Sequence, residues 1–141
     1  MPTIDAALTI AVHAHKGQRD KAGKAYILHP LRLMLQCASE QEMIVAVLHD
    51  ALEDSPLTLK ELENEGFSPA VLAALDCLTR RKSEDYQDFI QRVSTNALAT
   101  QIKIKDLTDN LDTTRLNSLS EQTLARIEKY HKALHYLRAH L

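Results

Sequence analysis

Apolar residues recur at helical spacing along almost the whole chain. Ile4, Leu8, Ala11 and Val12, behind Thr3 as a cap, predict a helix over the first fourteen or so residues, ended by Gly17. Residues 17–28, GQRDKAGKAYIL, lack an apolar stripe and read as a loop with a basic bias. Pro30 suits the first turn of a second helix through residues 31–38, and Ser39-x-x-Glu42 is a capping box that opens a third over residues 43–52. Nearly every residue from Met43 to Leu48 is apolar, which predicts a central helix with the His49-Asp50 pair leaving the core at its carboxyl end. Thr58-x-x-Glu61 caps a short helix closed by Gly66, and Ser68-Pro69 starts another carrying Val71, Leu72, Leu75 and Leu78. After a basic connector, Arg80 to Lys82, come a helix marked by Tyr86, Phe89, Ile90 and Val93 and one with Leu98, Ile102, Asp106 and Asn110 along one face. Ser118-x-x-Glu121 is read as the cap of a final helix whose inward stripe is Leu124, Ile127, His131, Leu134 and Leu137.

The pattern predicts an all-α bundle of seven to eight helices in one domain, residues 1–141. Composition agrees, since Ala and Leu supply 39 of 141 residues against three glycines, four prolines and six aromatics. Seventeen Lys and Arg against nineteen Asp and Glu leave a net charge of −2, which argues against a nucleic-acid partner or a membrane surface. No apolar run approaches the roughly 18 residues of a membrane span, so a cytoplasmic location is expected. Cys37 and Cys77 form no CxxC pair and read as buried reduced thiols. Assembly into a homo-oligomer is left open.

Ionisable residues set into apolar helix faces are the first candidates for chemistry, because burying them unpaired costs several kcal/mol. His49, Asp50 and Asp106 fit that description, and His29, held against Pro30 after Tyr26-Ile27-Leu28, is the best fourth member. A set of two imidazoles and two carboxylates without thiolate suits Mn²⁺, Fe²⁺ or Mg²⁺. Asp106 has a plainer reading as the partner of Lys103 or Lys105. Glu53 and Asp54 follow His49 and Asp50 by four residues each and, on a persisting helix, stack one turn beyond them, where they could act on an attacking water. Spacing alone does not choose between that role and a solvated helix terminus. His131 and His135 read as packing or surface histidines.

Three segments, GQRDKAGKAYILHP, VLHDALED and KIKDLTDNL, together resemble the hydrolase domain of the RelA/SpoT homologue family. The likeness is to its small single-domain alarmone hydrolases of the metazoan SpoT-homologue kind, within the HD phosphohydrolase superfamily. The resemblance implies an HD-type helical domain in which His29, His49, Asp50 and Asp106 bind one Mn²⁺. It also implies that Glu53 and Asp54 activate or orient water and that Asn110 contacts the nucleotide. The implied reaction is removal of the 3′-diphosphate of guanosine tetraphosphate or pentaphosphate (ppGpp, pppGpp), the alarmones of the stringent response, giving pyrophosphate and GDP or GTP. Lys16, Arg19, Lys21 and Lys24 are available to offset the substrate's negative charge. The chain leaves no room for a synthetase domain under this reading.

The sequence departs from the family pattern at Ala25, where a proline is common, at Asp20 and Leu107, where basic residues are common, and at Asp109, where an aromatic is common. Ala25 reads as loosening the loop only, and the others as drift at substrate-facing positions. Asp20 and Leu107 motivate an alternative substrate for the same metal chemistry, such as the 2′-phosphate of NADPH or a deoxynucleotide, and a third reading is a non-catalytic nucleotide sensor.

Overall fold

Side-chain caps set most of the helix starts. The computed structural model describes residues 1–141. It contains α1 (Ile4–Ala14), α2 (Leu28–Leu35), α3 (Glu40–Leu48), α4 (Ala51–Asp54), α5 (Leu59–Asn64), α6 (Pro69–Leu78), α7 (Tyr86–Ser94), α8 (Ala97–Leu111) and α9 (Glu121–Ala139), with a 3₁₀ turn at Thr113–Arg115. Ser39, Thr58, Ser68, Asn96 and Ser120 each accept the backbone N–H three residues on, which satisfies a donor the helix itself leaves open. The fold is all-α, as the pattern predicts. Nine helical segments replace the predicted seven or eight because α4 is a single turn set off from α3 at His49-Asp50.

Two local expectations are corrected. The cap of α9 is Ser120 rather than Ser118: its Oγ takes the Thr123 N–H at 3.1 Å, and Glu121 falls at the first helical position. The buried side of α9 is also turned round the helix, so Ile127, Tyr130, Leu134 and Leu137 face inward while Leu124 and His131 face solvent. Packing against α7 and α8, rather than the α9 pattern alone, selects that side.

The centre of the bundle is α3. Ile44, Val45, Ala46, Val47 and Leu48 are completely buried, and α1, α2, α6 and α8 surround them. Burial on all sides needs a helix apolar on all sides, which the run after Met43 supplies. The chain from Gly17 to Ile27 is the expected loop, pinched by a single bridge between Arg19 and Ala25 and by Tyr26 N–H donating to the Gln18 carbonyl at 2.9 Å. It delivers Tyr26 and then His29, which sits in the first turn of α2. No helix is long and apolar enough to cross a membrane.

Gly66 closes α5 with φ +95°, and the following Phe67 N–H returns to the Leu62 carbonyl at 3.2 Å. A Cβ here would lie 3.6 Å from Pro2 Cδ, an ordinary contact, so the cost of Gly66→Ala is backbone strain and not a clash. The variant is expected to lose about 1 kcal/mol, read as a lower urea midpoint at constant slope.

Candidate active site

Six polar side chains are buried in this protein: His15, His29, His49, Thr100, Asp106 and Asp109. Four of them meet in one place. Helix α2 contributes His29, the tightened backbone between α3 and α4 contributes His49 with Asp50, and α8 contributes Asp106 and Asp109. The three- and four-residue steps from Asp106 put Asp109 and Asn110 on its own face of α8, while Leu107 turns into the core. Asp109 is buried beneath His29 and Leu107 is core, so neither occupies the substrate-facing position read from the sequence.

One ligand atom from each of His29, His49, Asp50 and Asp106 lies within 4.8 Å of all the others. Both imidazoles are anchored through the nitrogen remote from this group. His49 Nδ1 donates to the Ala46 carbonyl at 2.6 Å and His29 Nδ1 donates to Asp109 Oδ2 at 2.6 Å. His29 Nε2 then faces Asp106 Oδ1 at 2.8 Å and Asp50 Oδ2 at 3.7 Å. His49 Nε2 lies 3.0 Å from Asp50 Oδ2 and 3.4 Å from Asp106 Oδ1, yet is buried without a hydrogen-bond partner. A neutral imidazole with its proton on Nδ1 aims the Nε2 lone pair at carboxylate lone pairs. That repulsion is relieved by a cation held between them. Two nitrogen and two oxygen donors with no thiolate fit a divalent metal ion.

Proton affinities point the same way. Burial opposes charge on His29, but hydrogen bonds to Asp106 and Asp109 overcome it and raise the ring to about 8. His49 is raised well above its ordinary value by Asp50 and Asp106 against the same burial penalty. Asp50, despite burial, is drawn down to about 2 by His49, and Asp106 is held well below the usual range by Lys103 and the two histidines. The carboxylates that favour a proton on these two rings favour a metal cation in the same place.

Lys103 resolves one open question. Its Nζ lies 2.7 Å from Asp106 Oδ2 and is largely buried, while Asp106 Oδ1 faces the histidines and takes Asn110 Nδ2 at 3.1 Å. The pairing with Lys103 and the place in the cluster therefore coexist, one per carboxylate oxygen. Tyr26 hydroxyl donates to Asp50 Oδ2 at 2.6 Å, with its ring between His15 and His29. Glu53 and Asp54 stand on α4, just past the cluster. Glu53 Oε1 accepts the Arg80 N–H at 2.5 Å, and Asp54 Oδ2 accepts from Gln18 Nε2 at 3.3 Å. Burial, with Asp50 close by, raises both carboxyls. His15 Nδ1 lies 2.9 Å from Gln18 Oε1, so the loop amide that holds Asp54 is itself held.

Beside the cluster runs a groove lined by Lys21, Arg32, Asn110, Arg115, Arg126 and Tyr130, together with Asp20 and Asp112. Of the basic residues expected from the sequence, Lys21 lines it; Arg19 and Lys24 do not, because the pinched loop directs Arg19 to the Gly23 carbonyl and leaves Lys24 on the surface. Asp20 lines the groove but its Oδ1 is occupied by the Ala22 and Lys24 N–H groups. Arg32, Arg115 and Arg126 were missed. Arg32 was findable, one turn after His29; Arg115 and Arg126 arrive from segments with no sequence signal tying them to the site.

The fold and the sequence have known counterparts. The structure of a metazoan SpoT ortholog described as hydrolysing ppGpp and acting in starvation responses superposes with a TM-score of 0.74 at 23% identity, over 95% of this chain and 85% of that one. The chain has a SpoT-type hydrolase fold. In sequence it is 34% identical over 134 residues to the guanosine-3′,5′-bis(diphosphate) 3′-pyrophosphohydrolase of Haemophilus influenzae, covering 85% of this chain and 20% of that protein. It is 31% identical over 137 residues to the bifunctional (p)ppGpp synthase/hydrolase SpoT of Escherichia coli, covering 87% of this chain and 19% of that protein. With the Aquifex aeolicus 3′-pyrophosphohydrolase it shares 30% over 122 residues. The chain spans about a fifth of the length of these curated relatives. No family model matches it. The SpoT-type likeness agrees with the resemblance carried by the loop, VLHDALED and KIKDLTDNL segments.

Proposed function

We propose that this chain, as one domain over residues 1–141, hydrolyses ppGpp and pppGpp at the 3′ position, releasing pyrophosphate and leaving GDP or GTP. The observation that carries the proposal is the pair of buried, Nδ1-anchored histidines whose Nε2 atoms face Asp50 and Asp106. His29, His49, Asp50 and Asp106 hold Mn²⁺ under this reading. The ion, when bound, neutralises phosphate oxygens and lowers the pKa of water near it.

The chain's own residues do the rest. Glu53, with its carboxyl raised and its Oε1 fixed by the Arg80 N–H, takes a proton from the attacking water, and Asp54, steadied by Gln18, orients that water. Asn110 bridges from Asp106 to the nucleotide. Lys21, Arg32, Arg115 and Arg126 give the groove the positive charge that a bis(diphosphate) needs, and Arg19 and Lys24 add to the approach field from the loop. The near-neutral net charge agrees with a small nucleotide rather than a nucleic acid as partner, and a cytoplasmic setting belongs to the same proposal.

Purified protein with ppGpp and Mn²⁺ is expected to yield GDP and pyrophosphate on anion exchange, and a chelator is expected to stop the reaction until Mn²⁺ is restored. The same panel includes NADPH and deoxynucleotides. Preferential release of phosphate from one of those would replace the ppGpp reading, and ligand-induced thermal stabilisation without any product would turn it into a sensor.

A further inference from the structure

Asp109 joins the two halves of the site. It is 8% exposed, and its Oδ2 accepts the His29 Nδ1–H at 2.6 Å. The same carboxylate takes both arms of Arg32, Nε to Oδ1 and Nη2 to Oδ2, each at 2.9 Å. Arg115 Nη2 lies 3.5 Å from Oδ2 and donates to the Asp109 carbonyl at 2.8 Å. Both arginines line the groove, and His29 belongs to the four-donor cluster. Asp109 therefore has three partners, His29, Arg32 and Arg115.

We propose that Asp109 is a positioning residue that serves the metal cluster and the groove at once. Its first task is to keep the His29 proton on Nδ1, so that Nε2 offers a lone pair to the ion and the ring cannot turn; a charged acceptor also makes the imidazole a stronger donor to a metal. Its second task is to hold the Arg32 and Arg115 guanidiniums at the groove edge with their conformational freedom already lost, so that an anion there orders less side chain on binding. The inference rests on the proposed use of His29 as a metal ligand but not on the identity of the substrate.

The test needs no nucleotide. Mn²⁺ affinity is measured by competition with a chelating dye for the wild type, Asp109→Asn and Arg32→Gln. Asp109→Asn keeps the volume and loses the charge, and is expected to weaken Mn²⁺ about tenfold or more. Arg32→Gln leaves the His29 contact in place and is expected to stay within about threefold, because it touches none of the four donors. Inorganic phosphate binding to the metal-free protein, followed by chemical-shift changes, is expected to weaken in both variants. An Asp109→Asn protein with Mn²⁺ affinity within about twofold of wild type overturns the proposal. A second readout works on the wild type alone, should the Asn variant not fold. With Co²⁺ bound, the His29 Nδ1–H proton, buried against Asp109, is expected as a slowly exchanging hyperfine-shifted resonance beside that of His49; a single such resonance overturns the proposal. Tight Mn²⁺ binding that depends on Asp109 in a protein inert to ppGpp would sink the proposed substrate and leave this inference standing.

Discussion

Asp106→Ala is expected to abolish divalent-metal binding and to cost about 3 kcal/mol of folding stability, the lower end of what breaking a buried ion pair costs. The carboxylate answers four groups: Lys103 Nζ on Oδ2, and His29, His49 and Asn110 around Oδ1. Its removal strands the Lys103 ammonium, whose side chain is only 14% exposed, among Phe89 and the core-facing side of α8. Electrostatics decides the sign here, since the cavity left by a carboxymethyl group is small beside the cost of an unpaired buried cation. The double variant Lys103→Met, Asp106→Ala removes both charges and is expected to recover most of the lost stability while still failing to bind metal. Urea unfolding with a metal-binding titration separates the two effects. An Asp106→Ala protein with an unchanged midpoint would show that Lys103 finds another partner or reaches water, and intact metal affinity would remove Asp106 from the donor set.

Glu53→Gln is expected to lower turnover by about 10²–10⁴-fold, the usual worth of a positioned general base. The substitution is nearly isosteric, and the amide oxygen it introduces can still accept the Arg80 N–H that fixes Glu53. What is lost is the ability to accept a proton. Because Glu53 touches none of the four donors, metal affinity is expected to stay within about threefold of wild type. A kcat unchanged in Glu53→Gln would assign the proton to another group, with Asp54 next in line. Loss of metal together with activity would instead show that α4 supports the cluster structurally.

The helices and most of their caps were legible in the chain because both are local. A capping serine or threonine acts on an N–H three residues away, and an apolar helix like α3 announces its own burial through residues 43–48. His49, Asp50 and Asp106 stood out by the same local logic, as ionisable residues on faces that are otherwise apolar. The failures were also local readings, pressed too far. The stripe drawn through Leu124 and His131 fits a helical period, but which of two adjacent faces of α9 turns inward is decided by α7 and α8.

Sequence by itself determined that this is a helical protein with His49, Asp50 and Asp106 set into otherwise apolar helix faces and a Glu-Asp pair four residues after His49-Asp50, since periodicity and spacing along single helices carry that information. Only the tertiary structure decided that Asp109 lies under His29, eighty residues away, that Lys103 and the histidines share Asp106 one oxygen each, and that Arg32, Arg115 and Arg126 form the groove while Arg19 and Lys24 stay outside it. The reason is the range of the interactions. Helix propensity and capping act within four residues, whereas a carboxylate's role depends on which charges the packed helices bring within about 3 Å of it, where the interaction is strongest.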